Sequence, residues 1–158
     1  MNISWIEPNS LAASPLPYNA DAVRSLHTQG IRAILTLTER PLTAQKGITA
    51  ELLNELMMTP FHIPIDDYQA PTLEQTTEAL RFIDAMQALS KPVLVHCIAG
   101  QGRTGTILHA YYLNKGLSLI DAQKQVVEKR QICVFKDLSY EQQAFLHEYA
   151  TNGRTIHL

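Results

Sequence analysis

The sequence has few cysteines, no excess of charge and no long apolar run, and each absence excludes a class of protein. Its 158 residues include 2 cysteines, Cys97 and Cys133, which cannot build the multi-disulfide framework of a small secreted domain. The formal net charge is −2, so no broad basic surface indicates binding to nucleic acid or to an anionic membrane. No apolar run approaches the length that a membrane-spanning helix requires. We therefore expect neither nucleic acid nor a membrane among the partners.

Composition indicates an ordinary globular chain. Hydrophobic residues make up 46% and charged residues 18% of the sequence, with no repeats, linkers or low-complexity segments, so we expect one domain over residues 1–158. Residues 1–8 lack the basic start and apolar stretch of a secretion signal. Free thiols persist in a reducing compartment, so we expect a cytoplasmic protein.

Strand-like and helix-like segments alternate along the chain. Strands are predicted at residues 3–7, around 11–12, at 31–38, at 61–65 and from residue 93. Helices are predicted between and after them, and three of these begin at capping residues, Thr72, Ser118 and Ser139. This alternation predicts an α/β fold with a mostly parallel central sheet and helices on both faces. In such a sheet, a functional site lies beyond the carboxyl ends of the strands.

The strongest functional signal is a short loop between the last predicted strand and an amphipathic helical run at residues 107–113. We call residues 97–103 the glycine loop; they are Cys97, Ile98, Ala99, Gly100, Gln101, Gly102 and Arg103. A loop that runs from a strand into a helix N-terminus gathers backbone N–H groups at one point. That geometry binds anions such as phosphate and its analogue vanadate.

Two side chains of this loop give the anion site a chemistry. Cys97 stands where the strand ends, and the helix dipole and loop N–H groups favour its thiolate over its thiol. Arg103 follows six residues later, as the helix begins, and its guanidinium can bind two phosphate oxygens at once. A nucleophile beneath a bound phosphate, with a guanidinium beside it, is suited to phosphoryl transfer to sulfur.

Three other interpretations of the loop compete with this one. Gly100, Gly102 and Gly105 spell a dinucleotide-binding turn, but that site needs an acidic residue after a second strand about 20 positions on, and Asp121 lies in a helical pattern instead. A sulfur-transfer enzyme also holds a cysteine in an anion-binding loop, yet it does not need an arginine six residues later. A cysteine that is merely buried at a strand end leaves the arginine and the glycines unexplained.

The loop and its neighbours resemble a known family. His96-Cys97, then five residues, then Arg103-Thr104-Gly105 resemble the signature of the cysteine-dependent protein tyrosine phosphatases. The Gly-x-Gly-Arg-Thr-Gly form is most similar to small, atypical dual-specificity phosphatases of the VH1-like type, and residues 37–40, 62–64 and 139–142 are similar to that group as well. The resemblance implies a metal-independent phosphomonoester hydrolase without a cofactor. Phosphotyrosine proteins are the implied substrates, with phosphoserine and phosphothreonine left open.

The resemblance also implies roles for single residues. Cys97 is expected to form a cysteinyl-phosphate, while Arg103 stabilises the charge of the phosphoryl group. A carboxylic acid must protonate the leaving oxygen, and Asp66 and Asp67 are the candidates. Asp67, four residues before Pro71, matches the position of the general acid in similar phosphatases, so we predict Asp67 as the acid and Asp66 as its neighbour.

Three further residues are expected to assist. Thr104 can donate its hydroxyl to the sulfur of Cys97, although a polar residue in a first helical turn needs no such role. His96 is expected to orient the loop through hydrogen bonds rather than to exchange protons with the substrate. Gln142 resembles the family glutamine that places the attacking water, but it fits a helix cap equally well.

Two further hypotheses concern the ligand. One is a phosphatase of phosphoinositides or other small phosphate esters on the same fold, and the other is a module that binds phosphate without turnover. Phosphoinositide phosphatases often carry lysines in this loop, whereas Ile98 and Gln101 are neutral here. The loop therefore supplies charge for one phosphate, which favours phosphotyrosine over polyphosphorylated inositol lipids.

Overall fold

Five short strands form one sheet in a computed structural model, which describes residues 1–153. The strands are β1 (Ser4–Glu7), β2 (Leu11–Ser14), β3 (Ala33–Thr36), β4 (Thr59–His62) and β5 (Val93–His96). Their order across the sheet is β1-β2-β5-β3-β4. The β1–β2 pair is antiparallel and the other three pairs are parallel, so the predicted mostly parallel sheet is confirmed.

In the part of the chain that the structure describes, six α-helices connect and cover the strands. They are α1 (Ala20–Thr28), α2 (Ala50–Glu55), α3 (Leu73–Ala88), α4 (Gly102–Asn114), α5 (Leu119–Lys129) and α6 (Tyr140–Glu148). The predicted caps are confirmed: Thr72 caps α3, Ser118 caps α5 and Ser139 caps α6. Within residues 1–153, no helix is both long and apolar enough to cross a bilayer.

Both faces of the sheet are buried, because successive strand residues point to opposite sides. On β5, Val93 and Val95 enter the larger apolar cluster, which is completed by residues of α3, α4, α5 and α6. Leu94, between them, enters a second cluster with residues of α1 and α2. Helices therefore lie on both faces, as the alternating pattern predicts, and β5 is held from both sides.

The strand limits differ from the sequence-based expectation. The strand predicted at 31–38 is paired as β3 over Ala33–Thr36, and the one predicted at 61–65 is β4, Thr59–His62. Pro60 lies inside β4 although it has no N–H to donate. It is tolerated because β4 is the edge strand and needs ladder hydrogen bonds on one side.

The parallel strands place three loops at one edge of the sheet. Residues 37–41 follow β3, residues 63–71 follow β4, and the glycine loop follows β5. Because β3 lies between β4 and β5, these loops are neighbours in space although they are far apart in sequence. The candidate site is at this edge.

Candidate active site

The glycine loop holds a buried thiol. Cys97 directly follows β5 and is 3% exposed. The hydroxyl of Thr104, in the first turn of α4, donates a hydrogen bond to the Cys97 sulfur over 3.1 Å. The sequence predicted this contact between Thr104 and Cys97. A hydroxyl donor at this distance stabilises a thiolate.

Backbone carbonyls of the loop are held from outside it. The Ile98 oxygen accepts a hydrogen bond from the N–H of Leu16 over 2.9 Å. The Gly100 oxygen accepts two, from Nε of Arg130 over 2.9 Å and from the thiol of Cys133 over 3.3 Å. In a planar trans peptide the N–H points opposite to the C=O. We infer that the N–H groups on these two peptides face away from those partners, into the loop, where an anion would bind.

Two glycines allow this close packing. Gly100 has a φ of +68°, and a Cβ there would stand 2.5 Å from the carbonyl oxygen of Ser14. A Cβ on Gly102 would lie 3.1 Å from the side-chain amide of Gln142. A larger residue at Gly100 would displace the surrounding backbone, whereas one at Gly102 would press on the Gln142 side chain.

Arg103 is almost fully buried, with 2% of its side chain exposed. Its Nη1 donates to the Glu39 carboxylate over 2.6 Å and to the carbonyl oxygen of Ile65 over 2.8 Å. Its Nη2 lies 3.4 Å from an oxygen of Asp67, and its Nε has no hydrogen-bond partner within residues 1–153. A buried N–H without a hydrogen-bond partner costs free energy. A phosphate that accepts hydrogen bonds from both Nε and Nη2 would bind the guanidinium bidentately and supply that partner.

Glu39 is a site residue for which the sequence predicted no role. One of its carboxylate oxygens contacts Arg103, and the other accepts the backbone N–H of Asp67 over 3.3 Å. Its own backbone N–H and then the Arg103 side chain hold the pKa of Glu39 below its ordinary value. Its position, just after β3 in a segment similar to the phosphatases, was the available signal.

His96 links the strand to the loop. Its Nδ1 lies 3.0 Å from the Cys97 carbonyl oxygen, which can only accept, so Nδ1 carries the proton and Nε2 accepts the Thr36 hydroxyl over 2.8 Å. Burial lowers the pKa of His96 to about 4. A neutral, doubly hydrogen-bonded imidazole is suited to orienting the loop and not to shuttling protons near neutral pH, and that role stays a prediction.

The two candidate acids occupy different positions in the aspartate loop, residues 66–70. Asp67 turns a carboxylate oxygen to Nη2 of Arg103 and accepts from the N–H of Tyr68 over 3.0 Å. Asp66 contributes a carbonyl oxygen to a turn that the N–H of Gln69 closes. The structure thus brings Asp67, and not Asp66, beside the guanidinium.

Gln142 lies next to both the glycine loop and the aspartate loop. It is 1% exposed, its Oε1 accepts the N–H of Ser139 in a capping box, and its Nε2 donates to the Gln69 carbonyl oxygen over 3.2 Å. Both amide atoms are therefore already engaged with protein groups. The helix-cap interpretation is confirmed, while a role in placing water stays a prediction.

Arg130 and Cys133 were also missed as contacts of the glycine loop. Arg130 directly follows α5, 30 residues after Gly100, and no local pattern points it towards the loop. Burial raises the pKa of the Cys133 thiol to about 12, so it stays protonated as a donor.

Within residues 1–153, no cluster of three or more His, Cys, Asp or Glu side chains is arranged to hold a metal ion.

The chain is similar in sequence and in fold to known proteins. A family model described as "Polymorphic toxin system, DSP-PTPase phosphatase" matches residues 14–117. The solved structure of Tk-PTP in its active form superimposes with a TM-score of 0.81 and 28% identity, covering 95% of this chain and 97% of that one. PTPMT1 superimposes with a TM-score of 0.82 at 22% identity, covering 98% of this chain and 97% of that one, which shows the shared fold.

Among curated sequences, "Phosphatidylglycerophosphate phosphatase PTPMT2" of Arabidopsis thaliana is 30% identical over 118 residues, which is 73% of this chain and 50% of that protein. Human "Dual specificity protein phosphatase 7" is 43% identical over 70 residues, or 43% of this chain and 17% of that protein. Three curated relatives at 30–35% identity are covered over only 50–65% of their own length. With the matching family model and the fold, these similarities show that the chain belongs to the DSP-PTPase phosphatase family.

Proposed function

We propose that the protein hydrolyses phosphomonoesters through a cysteinyl-phosphate on Cys97, with phosphotyrosine as its preferred substrate. One observation carries the proposal. The buried Arg103 is held through Nη1, while its Nε has no partner within residues 1–153 and lies in the same loop as the thiol. A phosphate would meet the guanidinium, the loop N–H groups and the sulfur together.

In the first step the Cys97 thiolate attacks phosphorus and the bond to the ester oxygen breaks. Asp67, protonated, gives its proton to the leaving oxygen, so an alcohol or phenol departs and a carboxylate remains. Arg103 and the loop N–H groups bind the equatorial oxygens as charge develops on them. The S–P bond forms as the P–O bond breaks.

In the second step water attacks the cysteinyl-phosphate. The Asp67 carboxylate accepts the proton of the water, the S–P bond breaks, and inorganic phosphate leaves. Thr104 stabilises the departing thiolate through its hydroxyl, 3.1 Å from the sulfur. The cycle returns Cys97 to a thiolate and Asp67 to an acid, and it consumes one water.

The surroundings of the anion site favour a substrate with a single phosphate. Ile98 is 44% exposed on the glycine loop and adds no charge. Glu39, Asp66 and Asp67 are exposed carboxylates at the same edge. Additional phosphates on a substrate would meet this negative charge, whereas the neutral ring of phosphotyrosine would not.

Lipid phosphate monoesters are the second candidate substrate class, because PTPMT2 carries a phosphatidylglycerophosphate phosphatase name and aligns over 73% of this chain. The neutral Ile98 and the exposed carboxylates weigh against polyphosphorylated lipids but not against a single terminal phosphate. Turnover needs a free thiol, so we extend the proposal to a reducing, cytoplasmic setting.

Phosphate release from a substrate panel tests the proposal. The panel contains peptides with phosphotyrosine, phosphoserine or phosphothreonine, and micelles with phosphatidylglycerophosphate or phosphoinositides, with Cys97→Ser as the blank. We expect kcat/KM for phosphotyrosine peptides to exceed that for the lipids by about tenfold or more, as for substrates that differ by one well-placed interaction. Faster turnover of the lipids would select the second candidate. Vanadate binding without turnover above the blank would identify a non-catalytic phosphate-binding module.

A further inference from the structure

Side chains at the start of α6 donate hydrogen bonds to the aspartate loop. The Ser139 hydroxyl accepts the N–H of Gln142 over 3.1 Å as a helix cap and donates to the carbonyl oxygen of Tyr68 over 2.6 Å. The next residue of the aspartate loop is also held: Nε2 of Gln142 donates to the carbonyl oxygen of Gln69 over 3.2 Å. Two successive carbonyls of the loop that carries Asp67 are thus fixed to one helical turn.

The residue held by Ser139 has an unusual backbone conformation. Tyr68 has a φ of +65°, a left-handed conformation that costs energy for any residue with a side chain. Its side chain is 70% exposed, so packing does little to hold this conformation. Its N–H bonds to the Asp67 carboxylate and its carbonyl bonds to Ser139. Hydrogen bonds on both sides of one strained residue therefore set where Asp67 points.

We propose that Ser139 is a positioning residue that holds the general acid in place through the Tyr68 carbonyl, without touching the substrate itself. This inference rests on the proposed function, because it assigns Ser139 to the protonation step. Without the hydroxyl, the Tyr68 peptide can rotate towards an unstrained conformation and carry the Asp67 carboxyl away from the leaving oxygen. Binding of the phosphate by Arg103 does not depend on that contact.

The chain offers a matched control for the cap itself. Ser118 caps α5 by accepting the N–H of Asp121 over 3.1 Å, as Ser139 caps α6. Ser118 lies four residues beyond the end of α4, whereas the glycine loop leads into its start. Replacing Ser118 therefore removes a helix cap without reaching the aspartate loop.

The experiment measures kcat for two phosphate esters, one with a poor and one with a good leaving group, in Ser139→Ala, Ser139→Thr and Ser118→Ala. Ser139→Gly is added because glycine keeps most of the capping stability while it removes the hydroxyl. We expect Ser139→Ala and Ser139→Gly to lower kcat about tenfold for the poor leaving group, which depends on the acid, and less than about threefold for the good one. KM should stay unchanged, and Ser139→Thr should restore the wild-type ratio.

Other results would overturn the inference. Equal losses on both esters, or the same pattern in Ser118→Ala, would show that Ser139 acts only as a cap. A leaving-group-dependent loss in Asp67→Asn but in neither Ser139→Ala nor Ser139→Gly would refute the positioning role and leave the proposed function intact. A wild-type enzyme that does not exceed the Cys97→Ser blank would refute the proposed function, and this inference with it.

Discussion

Nη1 of Arg103 and Oε1 of Glu39 lie 2.6 Å apart, and they join a buried guanidinium of the glycine loop to a half-exposed carboxylate that follows β3. Glu39→Gln keeps the shape but removes the charge that holds Arg103. A charge-assisted hydrogen bond contributes about 1.5–3 kcal/mol, so we expect kcat/KM for an aryl phosphate to fall about tenfold or more. Steady-state kinetics at constant ionic strength measure this change.

Glu55→Gln is the matched control, because it removes the same charge from the exposed end of α2. Its kcat/KM should stay within about twofold of wild type, as expected for screened surface charge. If both variants lose activity equally, the contact of Glu39 with Arg103 has no role in the reaction.

Asp67 lies beside the Arg103 guanidinium that would bind the phosphate, and Asp66 does not, so we predict that Asp67 is the acid. Asp67→Asn should lower kcat by about 10²–10⁴-fold, and more for poor leaving groups than for activated aryl phosphates. It should also remove the alkaline limb of the kcat–pH profile, since that limb reports loss of the proton of the acid. Asp66→Asn should shift the limb only slightly. A large, leaving-group-dependent loss in Asp66→Asn alone would reverse the assignment.

Arg130 and Cys133 both donate hydrogen bonds to the carbonyl oxygen of Gly100. Variants of these residues test whether the two hydrogen bonds shape the anion site. Arg130→Met should raise the vanadate inhibition constant about tenfold, because one lost hydrogen bond to a charged donor contributes about 1.5–3 kcal/mol. Cys133→Ser keeps a donor and should leave activity nearly intact. Lys129→Met, which removes a neighbouring cation, is the control. Equal effects of Lys129→Met and Arg130→Met would point to general charge instead.

We predict that the stability of the protein depends on pH because His109 is buried in its neutral form. It is buried in α4, its Nδ1 donates to the Gly105 carbonyl oxygen over 2.6 Å, and its Nε2 has no partner among residues 1–153. Burial lowers its pKa from 6.5 to about 4. Between these values the unfolded chain binds more protons, so the free energy of unfolding falls as pH decreases through this window.

Urea unfolding at several pH values measures the effect. From pH 7 to pH 5, wild type should lose on the order of 2 kcal/mol more than His109→Gln. Between pH 7 and pH 8 the difference between the two proteins should change by only about a few tenths of a kcal/mol, because the histidine is then mostly neutral in both states. Parallel curves over the whole range would show that His109 does not titrate on unfolding.

The elements and their order were predictable because they depend on local patterns. Thr72 with Gln75 and Ser139 with Gln142 are capping boxes readable at a spacing of three residues, and both are formed. The apolar run that became β5 and the glycines after it located the glycine loop correctly. The limits of β4 were missed, because the position of a proline in a strand depends on whether that strand lies at an edge.

The contacts that complete the site were not predictable in the same way. Glu39 and Arg103 are 64 residues apart, and Ser139 meets the Tyr68 carbonyl across 71 residues. Such pairs depend on how three loops and α6 meet at one edge of the sheet, which no local periodicity encodes. The resemblance to the phosphatases supplied Asp67, whereas Glu39 and Arg130 required the structure.

Transfer of phosphate to Cys97 is the step on which the proposed function depends, and intact-protein mass spectrometry of an acid-quenched reaction detects it. Asp67→Asn with an aryl phosphate that has a good leaving group is the best sample, because the intermediate can form without the acid and then lacks the base for its hydrolysis. We predict one added phosphoryl group, located on Cys97 by peptide fragmentation and absent from Cys97→Ala. Steady turnover by wild type with no such adduct in Asp67→Asn, or an adduct on another residue that persists in Cys97→Ala, would show that the reaction does not pass through a phosphorylated Cys97.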